Sequence, residues 1–206
     1  MARIKITGII SGKVGTVSIY ETKHGTQVVR SITKAHDPKT PKQLAHRMKF
    51  SMVNKGLSPL NEIIKIGFRG DSRIYRTQVG KAYHEAIAGE YPNFTLDYSK
   101  VKIAEGDLQL PEDIAVKTHE NSQQVSFTWN PDVSSDSKAV NGNDIVKIIC
   151  LNEEVKATRQ LTGVVRRSAG EASIELPEGW VPAETHYWFY LKSNDSEMNS
   201  DSIYVK

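Results

Sequence analysis

Between residues 3 and 32 apolar and polar side chains alternate in short runs: Ile4 and Ile6, then Val14-Gly15-Thr16-Val17-Ser18-Ile19-Tyr20, then Thr26-Gln27-Val28-Val29-Arg30. A period of two puts successive side chains on opposite faces of a strand, and Ser11-Gly12-Lys13 and Lys23-His24-Gly25 each offer a glycine for the turn, so the stretch predicts a three-stranded β-meander. Three short strands bury little by themselves. The meander is therefore expected to need the helices that follow.

The period then lengthens. Thr40-Pro41-Lys42-Gln43 is a helix start, with a capping hydroxyl, a proline suited to the first helical position and a glutamine placed to close a capping box. Helix is predicted to Leu57, and Phe50, Val53, Leu57, Leu60 and Ile64 form one apolar stripe, with Ser58-Pro59 breaking the helix and restarting it as a short second piece. A third helix is predicted from Thr77 to Ala88, closing at Gly89.

After Tyr91-Pro92 the period returns to two. Residues 101–103, 114–116, 125–129, 145–151, 172–176, 187–191 and 203–205 read as strands, with a further one near 155–158 and a surface loop over 133–143. The pattern predicts an α+β N-terminal module, residues 1–98, with a three-stranded meander and about three helices. It is followed by an all-β immunoglobulin- or fibronectin-like sandwich, residues 99–206. In that second part Tyr187-Trp188-Phe189-Tyr190 carries large side chains on both faces. One face can fill the sandwich core; the other needs a cover, either the N-terminal helices or another subunit, which makes these four residues candidate interface positions.

Charge divides the chain more sharply than hydropathy does. Residues 1–100 hold 17 Lys and Arg against 7 Asp and Glu, and residues 101–206 hold 10 against 17, although the whole chain is only +3. Either the basic part meets an anionic partner, or the oppositely charged halves attract each other within a chain or between copies. Arg30, Lys34, Lys42, Arg47, Lys49, Arg69, Arg73 and Arg76 are the candidate contacts to nucleic acid or to an acidic protein, since phosphate contact asks for little beyond clustered cations. This part has no recognisable helix-turn-helix, zinc finger or pair of exposed aromatics.

Specific segments resemble an uncharacterised bacterial family of unknown function. They are Ser11-Gly12-Lys13-Val14-Gly15-Thr16-Val17, Val29-Arg30-Ser31, the helix start from Thr40 to Phe50, Leu57-Ser58-Pro59-Leu60 and Ile66-Gly67-Phe68. In the second half Phe127-Thr128-Trp129, Arg167-Ser168-Ala169-Gly170, Leu176-Pro177-Glu178-Gly179-Trp180 and the closing Asn199-Ser200-Asp201-Ser202-Ile203-Tyr204-Val205 carry the same likeness. Gly56 departs from it, standing where the resemblance leads one to expect a bulky residue. The pattern of glycine hairpin, basic strand and Thr-Pro-x-Gln-x-x-x-Arg helix is also similar to segments of phage-like structural proteins, which implies a virion or mobile-element context.

Catalytic chemistry finds no foothold in the residues. The six histidines and one cysteine offer no ligand pair at metal spacing, and His84-Glu85 lacks the second histidine four residues on. Gly8-Ile9-Ile10-Ser11-Gly12-Lys13-Val14 is one residue short of a phosphate-binding loop and has valine where a hydroxyl would hold magnesium. Cys150 lies in an apolar run and reads as a buried, inert thiol; Glu112-Asp113 and Glu153-Glu154 are adjacent acids that point apart. No catalytic residue, metal or cofactor is expected, no small-molecule substrate is evident, and no membrane partner is expected. Asn93-Phe94-Thr95 and Asn194-Asp195-Ser196 match the glycosylation pattern, but without a secretion signal they are read as chance. With no apolar run long enough for a signal peptide or membrane span, the expected location is the cytoplasm or an assembled particle. The expectation is a non-enzymatic structural or interaction protein acting by self-assembly or partner docking. A nucleic-acid-binding accessory protein is the alternative.

Overall fold

The helix start at Thr40-Pro41 works as the spacing predicts: in the computed structural model α1 spans Pro41–Leu57, a 3₁₀ turn covers Ser58–Leu60, and α2 continues over Asn61–Gly67. The structure describes residues 11–33, 37–70, 73–118, 122–132, 141–195 and 197–206. Pro59 has no N–H to give and crowds the preceding turn, so the chain tightens there instead of stopping. α3 runs over Ile74–Glu85, ending earlier than its apolar spacing suggests. The residues assigned to its last turn form a strand, Ile87–Glu90 (β4), paired with Asn93–Leu96 (β5). Gly89 decides this: its φ is +85°, and a Cβ there would sit 2.3 Å from the Asn93 carbonyl oxygen, so only glycine fits the hairpin.

By its internal packing the chain divides into Met1–Thr40 and Pro41–Lys206. In the first unit Gly12–Val14 (β1), Val17–Glu21 (β2) and Gln27–Ser31 (β3) form an antiparallel sheet in the order β1-β2-β3. The first turn falls at Gly15-Thr16, splitting the run expected as a single strand over residues 14–20; the expected strand at Ile4 and Ile6 lies outside the described residues. Gly15 at φ +55° supplies the left-handed geometry that a two-residue hairpin turn demands.

In the second unit two larger antiparallel sheets follow. The strands Ala115–Thr118 (β6), Gln124–Thr128 (β7) and Glu171–Glu175 (β10) lie in the order β10-β7-β6. Ile145–Asn152 (β8), Ala157–Gln160 (β9), His186–Lys192 (β11) and Ile203–Val205 (β12) lie in the order β12-β11-β8-β9. Residues 101–103, expected as a strand, are not one: the Ile103 and Ala104 N–H groups donate to the Ser202 Oγ at 2.9 and 3.2 Å instead of to a ladder.

Alternation along β8 and β11 builds two cores. Ile148, Cys150, Tyr187, Phe189 and Leu191 join Val125, Phe127, Trp129 and Ile174 of the three-stranded sheet. Ile149, Leu151, Trp188 and Tyr190 point the other way and pack with Val53, Leu57, Leu60, Ile64, Val79 and Ala82 of the helices. Helices and four-stranded sheet therefore share one core, and the boundary expected near residue 98 falls inside the second unit. The architecture is mixed, with helices and several antiparallel sheets. Among the described residues no helix is long and apolar enough to cross a membrane.

One member of the expected apolar stripe departs from it. Val53, Leu57, Leu60 and Ile64 are buried, but Phe50 is 49% exposed, and no residue of α1 before Val53 is buried. The first half of α1 meets the flanks of the core, with His46 reaching Tyr83 at 2.6 Å and the Lys49 ammonium over the Phe94 ring at 4.7 Å.

Candidate interaction site

Three surfaces of the molecule bear on interaction. The first is the sheet β1–β3. Its register places Val14, Val17, Ile19 and Val29 on one face and Lys13, Ser18, Tyr20, Val28 and Arg30 on the other. None of the described residues in Met1–Thr40 is buried; Val14 and Val29 are 59% and 57% exposed. Val17 and Ile19 on the same face are half-buried, and apolar side chains exposed together on one face are of the kind that association covers.

The second is the basic set. Lys42, Arg47 and Lys49 lie in the first half of α1, Arg69 and Arg73 flank the α2–α3 connection, and Arg76 opens α3. Contacts of His46 with Tyr83 and of the Tyr75 hydroxyl with the Asn54 carbonyl make α1 and α3 antiparallel, so Lys42 and Arg73 lie at opposite ends of the pair. Arg30 belongs to the other unit and Lys34 lies outside the described residues. Within the second unit, Lys42 and Arg73 therefore do not share one end of the helical pair.

The third is a cleft that the sequence reading misses. One part, about 390 Å³, is bounded by Met48, Met52, Phe94, Tyr98 and Leu151. A wider part, about 780 Å³, opens beside it between Arg47, Phe50, Asn54 and Tyr75. Ser51, Lys55, Pro59 and Lys156 line both. The first two stand four residues apart on one face of α1 and Pro59 follows four further on in the 3₁₀ turn, while Lys156 arrives from the β8–β9 turn, where its φ is +53°. The i, i+4, i+8 row was legible in the sequence, but nothing in the residues tied it to Lys156. Close packing explains the glycine at position 56. A Cβ there would lie 2.6 Å from Leu96 and 2.9 Å from the Tyr98 hydroxyl, so glycine lets α1 settle against the β5 segment that walls the cleft.

The candidate interface Tyr187, Trp188, Phe189 and Tyr190 is corrected by the structure: all four are buried inside one chain. The helices supply the second cover. Trp188 donates from Nε1 to the Val101 carbonyl at 2.9 Å, and Tyr187 donates to the Pro182 carbonyl at 2.8 Å, so even their polar ends are satisfied internally.

Titratable groups near these cores are tuned by burial. The Cys150 thiol is pushed up to about 12 by its apolar surroundings, which leaves it protonated and a poor nucleophile. Burial, with a smaller push from Lys206, holds the His186 imidazole down at about 4; its Nδ1 is 2.7 Å from the Tyr204 hydroxyl and its Nε2 is 4.0 Å from Glu153. Among the described residues no three His, Cys, Asp or Glu side chains gather as metal ligands would; His36 and His119 lie outside them.

Residue strings that carry the family resemblance meet in space. The Asn199 amide donates to the Ile66 and Gly67 carbonyls at 3.3 and 2.9 Å, satisfying the end of α2. Gly67 approaches so closely that a Cβ would stand 2.1 Å from the Ile103 carbonyl oxygen, and one on Gly106 would stand 2.1 Å from that of Asn199. Ser200 accepts from the Leu191 N–H at 2.8 Å, and Asp201 pairs with Lys102 at 2.9 Å. Arg167, also buried, donates to the Gln109 carbonyl and accepts from the Trp129 indole through its own carbonyl at 2.7 Å. These motifs are joinery between the helices, the 101–109 segment and the sheets.

An architecture of mixed helices and antiparallel sheets, with its distinctive motifs spent on internal joints, defines a class by fold before it defines one by chemistry. The chain belongs to a family of unknown function, DUF6266, which matches residues 9–206. No curated protein matches it.

Proposed function

We propose that this protein is a non-enzymatic structural or interaction protein that works by self-assembly or docking onto a protein partner. The observation that carries the reading is the sheet β1–β3, an ordered three-stranded meander with no buried side chain among its described residues and with Val14, Val17, Ile19 and Val29 on one face. A sheet of this size gains little by folding alone, and a partner that covers the valine face would supply the missing burial. In this reading the two packed sheets of the second unit are an immunoglobulin- or fibronectin-like sandwich serving as a scaffold, with α1–α3 laid on its outer face. Residues 1–40 carry seven Lys and Arg against two Asp and Glu, and residues 101–206 are acidic, so contact between copies would pair opposite charges. A phage-like particle or mobile element is the setting to which the N-terminal resemblance points.

Mass of the full chain by sedimentation or light scattering, at low and high salt, tests this. Association that weakens with salt and is lost in Val29→Lys supports it. A strict monomer in both conditions, with no partner, removes it.

A second reading, a nucleic-acid-binding accessory protein, draws support from the exposed basic half of α1 with Lys42 and Arg47. It predicts a gel shift that fades steeply with salt and is lost when Arg47 and Lys49 are neutralised.

A further inference from the structure

The walls of the cleft beside α1 differ in chemistry from end to end. The narrower part is apolar, with two methionines, Met48 and Met52, whose unbranched thioethers adapt to the shape of an inserted side chain. At its mouth stand Lys55 and Lys156, both exposed, one on the helix and one on the facing turn. Arg47 lies further along the wider part. Glu153 is the acid on this lining; its side chain is exposed and neighbours Tyr98 and His186. A trough of about 390 Å³ with an apolar end and a cationic mouth matches the size of a side-chain anchor site and asks for a ligand that is apolar at one point and anionic beside it.

We propose that this cleft is the docking site for an acidic peptide segment of a protein partner. A large apolar side chain of the segment enters between Met48, Met52 and Leu151, and flanking carboxylates pair with Lys55 and Lys156. Base stacking is disfavoured because the aromatic rings are engaged: Lys49 sits over Phe94, and Tyr98 packs against His186 at 4.3 Å and Trp188 at 6.2 Å between ring centres. The basic N-terminal unit of the chain shares the sign of the cleft mouth, which disfavours it as the occupant. The proposal deepens the docking reading and rests on it in taking protein as the partner.

Its test is independent of chain mass. The chain has four methionines, so ¹³C-methyl labelling gives a sparse spectrum in which Met48 and Met52 report the cleft and Met198, packed at the other core, serves as the control. Full-length protein is screened on an array of random peptides of roughly 12 residues at about 50 mM salt, where surface charges are weakly screened, and the strongest binder is titrated into the labelled protein. The expected result is enrichment of Asp and Glu beside Leu, Phe or Trp, and shifts of Met48 and Met52 without Met198. Affinity is expected to fall about tenfold in the double variant Lys55→Glu, Lys156→Glu. Ser51→Trp, an exposed position on the cleft floor, should abolish binding while the far-ultraviolet spectrum stays unchanged. Binders without acidic enrichment, Met48 and Met52 signals that do not move, or an oligodeoxythymidine that moves them more strongly than the peptide would overturn the proposal. Salt-sensitive association of the chain would still be measured by mass, so the two readings fail separately.

Discussion

Val29 and Phe189 both sit in antiparallel strands, yet one is 57% exposed and the other fully buried. In β1–β3 the alternation of side chains produces an apolar face on which Val14 and Val29 are exposed and no described residue of its own unit is buried. In β8 and β11 the same alternation is covered twice, by the β6, β7 and β10 side chains on one face and the α1–α3 side chains on the other. Period two states that a strand has faces. Whether a face is closed depends on what else the chain, or another chain, brings to it. The second unit holds two cores of its own; among the described residues of the first, none is buried.

The contrast is most exposed to a change at the centre of the doubly covered sheet. Trp188→Ala should lower the unfolding free energy by about 4 kcal/mol in urea titration, since it empties a fully buried site and orphans the Val101 carbonyl. A loss under 1 kcal/mol would show the helical cover to be loose. Gly67→Ala follows, at about 3 kcal/mol, because its Cβ would collide with the Ile103 backbone, which cannot swing away as a side-chain tip could.

His186 at the edge of the helix-side core sharpens the comparison through pH. Its folded value of about 4 lies below the unfolded value of 6.5, so the unfolded chain binds the proton first. Stability from this group is full above pH 6.5 and drains away as pH falls towards 4, by up to about 3 kcal/mol. His186→Gln should remove that part of the slope; an unchanged slope between pH 6.5 and 4 would mean that the imidazole titrates normally.

The smallest expected effect is on the open sheet. Val29→Thr should change the stability of the isolated chain by less than about 0.5 kcal/mol, as an exposed β-branched exchange does. A loss of 2 kcal/mol or more would mean that the valine face is covered within the isolated chain, and the contrast between the units would collapse.

Much of the fold was legible because its signals are local. Thr40-Pro41 starts a helix wherever a chain permits one, Ser58-Pro59 interrupts it, and the strands around Phe127, Ile148, Ile174 and Phe189 announce themselves by alternation. The β4–β5 hairpin was hidden because Ile87 and Ala88 continue a helical spacing, and only the close pairing of Gly89 with Asn93 overrules it. The candidate sites were less legible. Lys42 and Arg73, grouped in one basic stretch by the sequence, proved to lie at opposite ends of the α1–α3 pair, and aromatic residues that suggested an interface proved to be core.

Residue order by itself determined where helix gives way to strand, which thiol is sheltered, how charge is divided along the chain, and the family to which the chain belongs. Only tertiary structure decided that the helices close the outer face of β8 and β11, that Asn199 caps a helix ending at Gly67, and that Lys156 faces Lys55 across a cleft. Local propensity acts over a few bonds and is written in neighbouring residues. Burial and electrostatic convergence join positions about a hundred residues apart, and those pairings exist only once the cores have formed.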